Sequence, residues 1–299
     1  MMEVKIVADS ISEAGIRITT MELTYERFIH SQFMTHRMFS RNAQSSRAIP
    51  TAKQIELIRD LSSPHFLKNK AGMQAGEEFK DWEHDYAVKY WNQACDYAIA
   101  QAEVMLDLGV HKQWVNRLLE PFATIKVVVT ATEWDNFFNL RLHHDAQPEI
   151  QELSQLMKSA MDESKPNFLH NDEWHLPYVT YDDMYECSTG GTIFEHFQKK
   201  LPLISAARCA RVSYLNHDNS NPNIENDLSL AERLLKGSDV GHFSPFEHQA
   251  KPMDSNDFYG MVLKNKKCGV THVDVNGNCW SNNFRGWIQH RALLTGEMK

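Results

Sequence analysis

Ile16 and Ile18 alternate with Arg17 and Thr19, the two-residue period of a half-buried strand. Residues 15–23 are therefore expected to be extended, as are residues 4–8 before them. Helical spacing follows, with Tyr25, Phe28, Ile29 and Phe33 recurring behind Thr24, a candidate N-cap. That helix would deliver Gln32, His36 and Arg37 near its C-terminal end. Residues 62–76, punctuated by Pro64, Gly72 and Gly76, read as a loop. The longest helical signal covers residues 77–108, where Phe79, Trp82, Tyr86, Tyr90, Ala94, Tyr97, Ala102 and Met105 follow one face. Gly109 stands at the C′ position of that helix. At such spacing the aromatic stripe is expected to pack in the core rather than to stack on a ligand.

A shorter helix over residues 111–119 stops at Glu120-Pro121, and residues 125–130 form a β-branched run suited to a buried strand. Thr132-Glu133-Trp134-Asp135 resembles a capping box that starts a helix through Leu142, and Pro148 opens another with Ile150, Leu153, Met157 and Met161 inward. Periodicity fades over residues 164–200, where Trp174, Tyr178, Tyr181 and Tyr185 argue for an ordered connection packed on the body. Helical signals resume at residues 203–214 and 227–236, the latter ended by Gly237. Ser244 and Glu247 could form a capping box with Pro245 at the first helical position. Asn276-Gly277 between two extended runs predicts a hairpin.

Composition narrows the class. The 299 residues are 42% hydrophobic and 23% charged, enough for a substantial core in one or two domains. A net charge of -8 argues against binding nucleic acid over the whole surface but permits a local basic pocket. No apolar run reaches membrane-spanning length and Met1-Met2-Glu3-Val4 lacks signal-peptide features, so the cytoplasm is the expected location. The five cysteines contain no C-x-x-C pair, and free buried thiols are expected rather than disulfides. Cys268, His272 and Cys279 lack the paired spacing of a zinc site, and the adjacent His143 and His144 of His143-His144-Asp145 are expected to point apart. No metal is expected.

Candidate chemistry concentrates in residues 32–47. That stretch holds three guanidiniums, three serine hydroxyls, an imidazole and three carboxamides, groups able to read a phosphate and a heterocycle together. Near its end the chain carries a second Gln/His/Arg-rich segment, Asn283 to Arg291, with Gln289-His290-Arg291. There is no Walker loop, no G-x-G-x-x-G, no G-x-S-x-G elbow and no H-E-x-x-H.

His36-Arg37 followed by Ser45, with Gln32 upstream and Arg47 downstream, resembles the signature of flavin-dependent thymidylate synthases: Arg-His-Arg, seven residues, then Ser. Arg117-Leu118-Leu119-Glu120-Pro121 is similar to that family's Arg-x-x-x-Pro helix end. Asn136-Phe137-Phe138-Asn139-Leu140-Arg141, then Ala146-Gln147 and Glu149-Ile150, is similar to its N-F-L-x-L-R…A-Q-x-E-I segment. Cys209-Ala210-Arg211-Val212-Ser213-Tyr214 and Gly241-His242-Phe243-Ser244-Pro245-Phe246-Glu247-His248 resemble its A-A-R-V-S-F and G-H-x-S-P-F-E-H segments. The last two come first in the usual layout, so the chain reads as a circular permutant. Residues 1–163 resemble the family's C-terminal part, 164–200 bridge its usual ends, and 201–299 resemble its N-terminal part plus an unmatched tail. Permutation is tolerated when the original ends are neighbours on the surface. Residues 69–79 and 251–299 have no identified counterpart.

The resemblance implies an α/β (α+β) fold, a mostly antiparallel sheet flanked by long helices, in a homotetramer with active sites between subunits. It implies FAD-dependent methylation of dUMP to dTMP, with 5,10-methylenetetrahydrofolate as one-carbon donor and NADPH as reductant; no cysteine nucleophile is required. Carried over, His36, Arg37, Asn136, His242, Ser244, Glu247 and, more weakly, Ser213 would contact FAD. Gln32, Ser45, Arg47, Arg117 and Arg141 would hold dUMP, with Arg141, Ser45 and Arg37 the catalytic candidates. Arg141 would face the pyrimidine, where a fixed cation can stabilise developing charge. Three positions depart from the pattern: Thr35 for the first Arg, Ala43 for a Glu and Asp145 for a His. They leave open a divergent flavoenzyme acting on another pyrimidine nucleotide or with another one-carbon donor, and a non-catalytic nucleotide-binding or scaffold protein. Arg291 is a candidate to replace the missing Arg.

Overall fold

A five-stranded sheet carries the molecule, in the order β3-β4-β2-β1-β5. The strands are β1 (Glu3–Ser12), β2 (Arg17–Glu26), β3 (Ser40–Ala43), β4 (Thr124–Ala131) and β5 (Asn167–Leu169). All pairs are antiparallel except β1 with β5. The β1–β2 hairpin turns at Gly15, whose φ of +73° suits glycine. This computed structural model describes residues 2–72, 74–188, 193–216, 220–236, 241–254, 257 and 269–294. The expected mixed fold, a mostly antiparallel sheet with helices against it, is the one observed.

Alternation in β2 and β4 gives the sheet two faces. Met21, Leu23, Tyr25, Ile125, Val127 and Val129 point to one, where α5 (Asp135–Arg141) and α6 (Pro148–Glu163) add Phe137, Ile150, Leu153 and Met157. Each such fully buried side chain contributes about 1.5–3 kcal/mol. On the other face Val128 packs with Tyr178 and with Cys209 and Val212 of the segment around α8 (Ile193–Arg211). Helix α8 is pinned by a buried ion network in which Arg208 meets Asp183 and Asp227, the latter on α9 (Ile224–Lys236). Helices α2 (Thr51–Arg59), α3 (Asp81–Asp107) and α4 (Lys112–Leu119) form a separate cluster through Ile55, Ile58, Ile99, Ala102, Val115 and Leu119.

Several expectations need correction. Tyr25 belongs to β2, which runs on to Glu26, so Thr24 is no N-cap. A 3-10 turn (Arg27–Ile29) and the single-turn α1 (His30–Phe33) replace the longer helix, and His36 and Arg37 lie beyond it. The aromatic stripe of α3 is not core: Trp82, Tyr86, Tyr90 and Tyr97 are each more than half exposed, while Ile99 and Ala102 face inward. Neither proposed capping box forms. Trp134 caps α5 without a side-chain bond, and Ser244–Glu247 is a 3-10 turn. Tyr178 is buried in the connection, which includes α7 (Tyr181–Ser188), but Tyr181 and Tyr185 are exposed. Of the described cysteines all are free, and only Cys209 is buried. Gly190, Gly191, Gly237 and Cys268 lie outside the described residues.

The chain ends in short strands: β6 (Ala250–Pro252), β7 (His272–Val273), β8 (Cys279–Ser281), β9 (Phe284–Arg285) and β10 (Trp287–Gln289), then α10 (His290–Leu294). The expected hairpin joins β7 to β8. Strand β10 pairs with β6 and so returns the tail to the Ser244–Glu247 turn. No helix among the described residues is long and apolar enough to cross a membrane.

Candidate active site

The polar segment after α1 is held by its own arginine. Arg41, on β3, donates through Nη1 to the carbonyls of Met34 (2.9 Å) and His36 (3.0 Å), satisfying groups that a short helix leaves open. His36 is thereby fixed between Phe39, stacked at 5.8 Å, and Phe137, edge-on at 4.9 Å. Arg141, at the end of α5, donates from Nε to His36 Nε2 at 2.9 Å. Accepting that bond requires an unprotonated Nε2. Burial, with Arg141 and Arg41 beside it, lowers the His36 pKa to about 4. Arg141 Nη2 reaches Thr35 Oγ1 at 3.3 Å, and Thr35 donates in turn to the Gln32 carbonyl at 2.7 Å. The Gln32 amide donates to Gln147 Oε1. Gln32, Thr35, His36, Arg141 and Gln147 thus form one connected group, and Thr35, a departure from the family pattern, is part of it.

A second group gathers around Glu120. Its Oε1 accepts from Arg117 Nη1 at 2.8 Å and from Ser46 Oγ at 2.9 Å, and pairs with Arg27 at 2.9 Å. Asn116, buried on α4, donates to the carbonyls of Ser46 (2.7 Å) and Ile49 (3.0 Å). Ser45 and Arg47 therefore lie at the same corner as Arg117, and all three are exposed. Sequence reasoning missed Ser46, Asn116 and Glu120; the signal was Glu120 itself, inside the Arg-x-x-x-Pro segment.

The third group lies along β3. With its amide nitrogen turned toward its acceptors, Asn42 donates to His248 Nε2 (3.2 Å) and to the Ser244 carbonyl (3.1 Å). His248 Nδ1 then donates to Thr130 Oγ1 at 2.8 Å. The chain continues through Thr20 to His175, whose other nitrogen meets Ser10 at 2.9 Å. Complete burial lowers both His248 and His175 to a pKa of about 3, so both are neutral. The Ser244–Glu247 turn is thus anchored through the sheet, leaving His242 and Ser244 exposed. Glu247 is half-buried and ion-paired with Arg291, its pKa raised by burial against the pull of Arg291 and Arg41. Gln289 on β10 braces the same place, donating to Ser40 Oγ and the Glu247 carbonyl, both at 3.2 Å. Arg291 is paired with Glu247.

Arg37 is exposed beside His36, and Asn136 is exposed on the first turn of α5. Ser213 follows α8, and its N–H donates to the Arg208 carbonyl at 3.3 Å. Among the described residues, no hydrogen bond joins Asn136 or Ser213 to the three groups. His143 and His144 do not point apart. They sit in the turn after α5 with rings 4.2 Å apart, and with Asp145 their ligand atoms lie within 4.8 Å of one another, all exposed.

No curated protein matches the chain in sequence. Among solved structures it is similar to the UMP/dUMP methylase PolB from Streptomyces cacaoi. The form bound with 5-Br UMP gives a TM-score of 0.46 at 17% identity, over 55% of this chain and 89% of that one. The form bound with 5-Br dUMP gives 0.43 at 17% identity, over 55% and 91%. The family model described as thymidylate synthase complementing protein, Thy1, matches residues 16–167, which include the groups around His36–Arg141 and Glu120. The chain belongs to that family, the flavin-dependent thymidylate synthases.

Proposed function

We propose that the protein reductively methylates dUMP to dTMP, using FAD, 5,10-methylenetetrahydrofolate and NADPH. Family membership supports methylation of a uridine nucleotide. The observation that carries the reading is the Arg141–His36 pair. A neutral imidazole takes up Arg141 Nε and fixes the guanidinium, so that its outer edge is available to a pyrimidine. There a preorganised cation stabilises negative charge as it develops on the ring. Exposed Ser45, Arg47 and Arg117 suit the 5′-phosphate, by charge-assisted bonds that free Arg117 from Glu120 only in part.

The residues along β3 fit a flavin dinucleotide. His242 and Ser244 offer an imidazole and a hydroxyl around a turn whose backbone is locked by Asn42 and Gln289, beside the half-buried Glu247, and His36 and Arg37 add a second imidazole and a guanidinium from the segment before β3. Bound there, reduced FAD would supply the hydride that converts the transferred methylene carbon to methyl. The chain's part is to orient the nucleotide, hold its phosphate and keep His36 unprotonated.

The His36–Arg141 and Ser45–Arg47–Arg117 groups share no hydrogen bond among the described residues. In our reading a second subunit brings one against the other, in a homotetramer. Exposed Met34, Met38 and Leu140 around Arg141, and the aromatic face of α3, are apolar surface of the kind such interfaces cover. Thr35 in place of an arginine favours a second reading, methylation of a different pyrimidine nucleotide. Product analysis tests both: protein incubated with FAD, NADPH, methylenetetrahydrofolate and either dUMP or UMP under low oxygen should yield dTMP from dUMP and no methylated product from UMP. A methylated UMP alone would select the second reading, and neither product from flavin-loaded protein would refute both.

A further inference from the structure

The turn between α5 and α6 gathers three metal-ligating side chains that the methylation reading does not use. Helix α5 ends at Arg141 and α6 begins at Pro148, so His143, His144 and Asp145 fall where the backbone has left the helix. Adjacent residues of a helix point about 100° apart. In the turn that constraint is gone: the two imidazoles lie 4.2 Å apart, with their planes tilted by 36°. One ligand atom from each of the three residues falls within 4.8 Å of the others, and all three side chains are exposed.

The turn is pre-formed. The Ala146 N–H donates to the His143 carbonyl at 2.9 Å, and the Gln151 amide on α6 donates to the carbonyls of Leu142 (3.2 Å) and His143 (3.0 Å). Leu142 and Ala146 pack against the main core on either side of the cluster. The Asp145 N–H donates to His143 Nδ1 at 3.3 Å, which requires that this nitrogen carry no proton. His143 Nδ1 therefore faces Asp145 Oδ2, 3.4 Å away, as one base facing another with no proton to join them. His144 Nε2 lies 3.2 Å from Asp145 Oδ1. Ligand atoms about 2.0–2.1 Å from a tetrahedral zinc ion stand roughly 3.3–3.4 Å from one another. Both separations are close to that edge length before any metal enters. Asp145 is one of the three departures from the family pattern, so the carboxylate of this cluster belongs to this chain and not to the family signature.

We propose that His143, His144 and Asp145 bind one zinc ion, with water completing an open tetrahedral site. Two imidazoles and a carboxylate favour a late first-row divalent ion over Mg²⁺ or Ca²⁺, which take oxygen ligands. The ion takes the place of the missing proton between His143 and Asp145 and draws His144 to the same centre. Asp145 lies two residues before Gln147, whose side chain accepts from Gln32, so the ion braces the turn that leads into the Arg141–His36 group. The assignment stands independently of the methylation reading, because none of the three side chains is assigned there to nucleotide or flavin.

The test is titration of Zn²⁺ into the full-length protein, freed of metal by chelator and gel filtration, in competition with a chromogenic chelator. Wild type should take up one equivalent per chain ahead of the indicator. His144→Ala and Asp145→Ala should each weaken that uptake about a hundredfold or more, since even the outer partners of a metal ligand are commonly worth about 10–100-fold. His170→Ala removes an exposed histidine paired with one carboxylate, Glu13, and should leave the uptake unchanged. Metal-free melts at the wild-type temperature report that each variant is folded. Co²⁺ in place of Zn²⁺ should give wild type the visible absorption of a tetrahedral site, and the two ligand variants should lack it. Absence of stoichiometric uptake by wild type would overturn the assignment. Uptake of wild-type strength in both His144→Ala and Asp145→Ala would overturn it as well, by placing the ion elsewhere.

Discussion

His36 and His248 show how one residue type takes two tasks from its surroundings. His36 must stay unprotonated to accept from Arg141, and His248 must carry its proton on Nδ1 to link Thr130 to Asn42. Removing a member of such a buried chain leaves its neighbours without partners, at about 1–3 kcal/mol for each orphaned group. His248→Ala should therefore lower the unfolding free energy by that order, read as a lower urea midpoint with the denaturant slope unchanged. An unaltered midpoint would show that the chain through the sheet is not structural. Sequence exposed the residue types here but not their partners. The His36–Arg141 bond joins residues far apart in the chain, and His175 enters from a connection that carries no periodic signal.

At the scale of elements, the strands were the most legible. Alternation at residues 16–19 and the β-branched run before Thr130 correspond to β2 and β4. Pro148 marks the first turn of α6, and Gly109, with φ +79°, closes α3. What sequence could not give was which face of α3 the protein buries. Trp82, Tyr86, Tyr90 and Tyr97 lie at core-like spacing, yet the smaller Ile99 and Ala102 meet α4 and α2. Periodicity defines a stripe and says nothing about whether its cover is the same chain or another. If a second copy covers it, Tyr90→Glu with Tyr97→Glu should shift the native mass from tetramer to a smaller species in light scattering. A tetramer of unchanged mass would place the interface elsewhere.

For the whole molecule, two consequences follow. His175, His248 and His290 are buried and neutral, with pKa values lowered to about 3, 3 and 4. Below pH 6.5 the unfolded chain takes up protons that the folded chain refuses, so stability falls as pH drops through that range and is complete above it. The loss is on the order of 1–2 kcal/mol for each of the three by pH 5. Thermal melts should move down steadily from pH 7 to pH 5; a flat profile would mean these histidines ionise in place. The second consequence concerns subunit sharing. Arg117→Ala and Arg141→Ala, each inactive alone, should regain activity when refolded together if one chain supplies the phosphate corner and another the base site. No recovery in confirmed mixed oligomers would put both groups on one chain.

The most direct test of the account is the turnover of Arg141→Ala with dUMP, set beside its affinity for FAD. Loss of a preorganised cation that acts on developing charge should lower kcat by about a hundredfold or more. FAD affinity should fall far less than turnover, because of the flavin candidates only His36 is bonded to Arg141, and His242, Ser244 and Glu247 lie around a separate turn. A variant that forms dTMP at the wild-type rate would contradict the assignment of the base site to the Arg141–His36 pair.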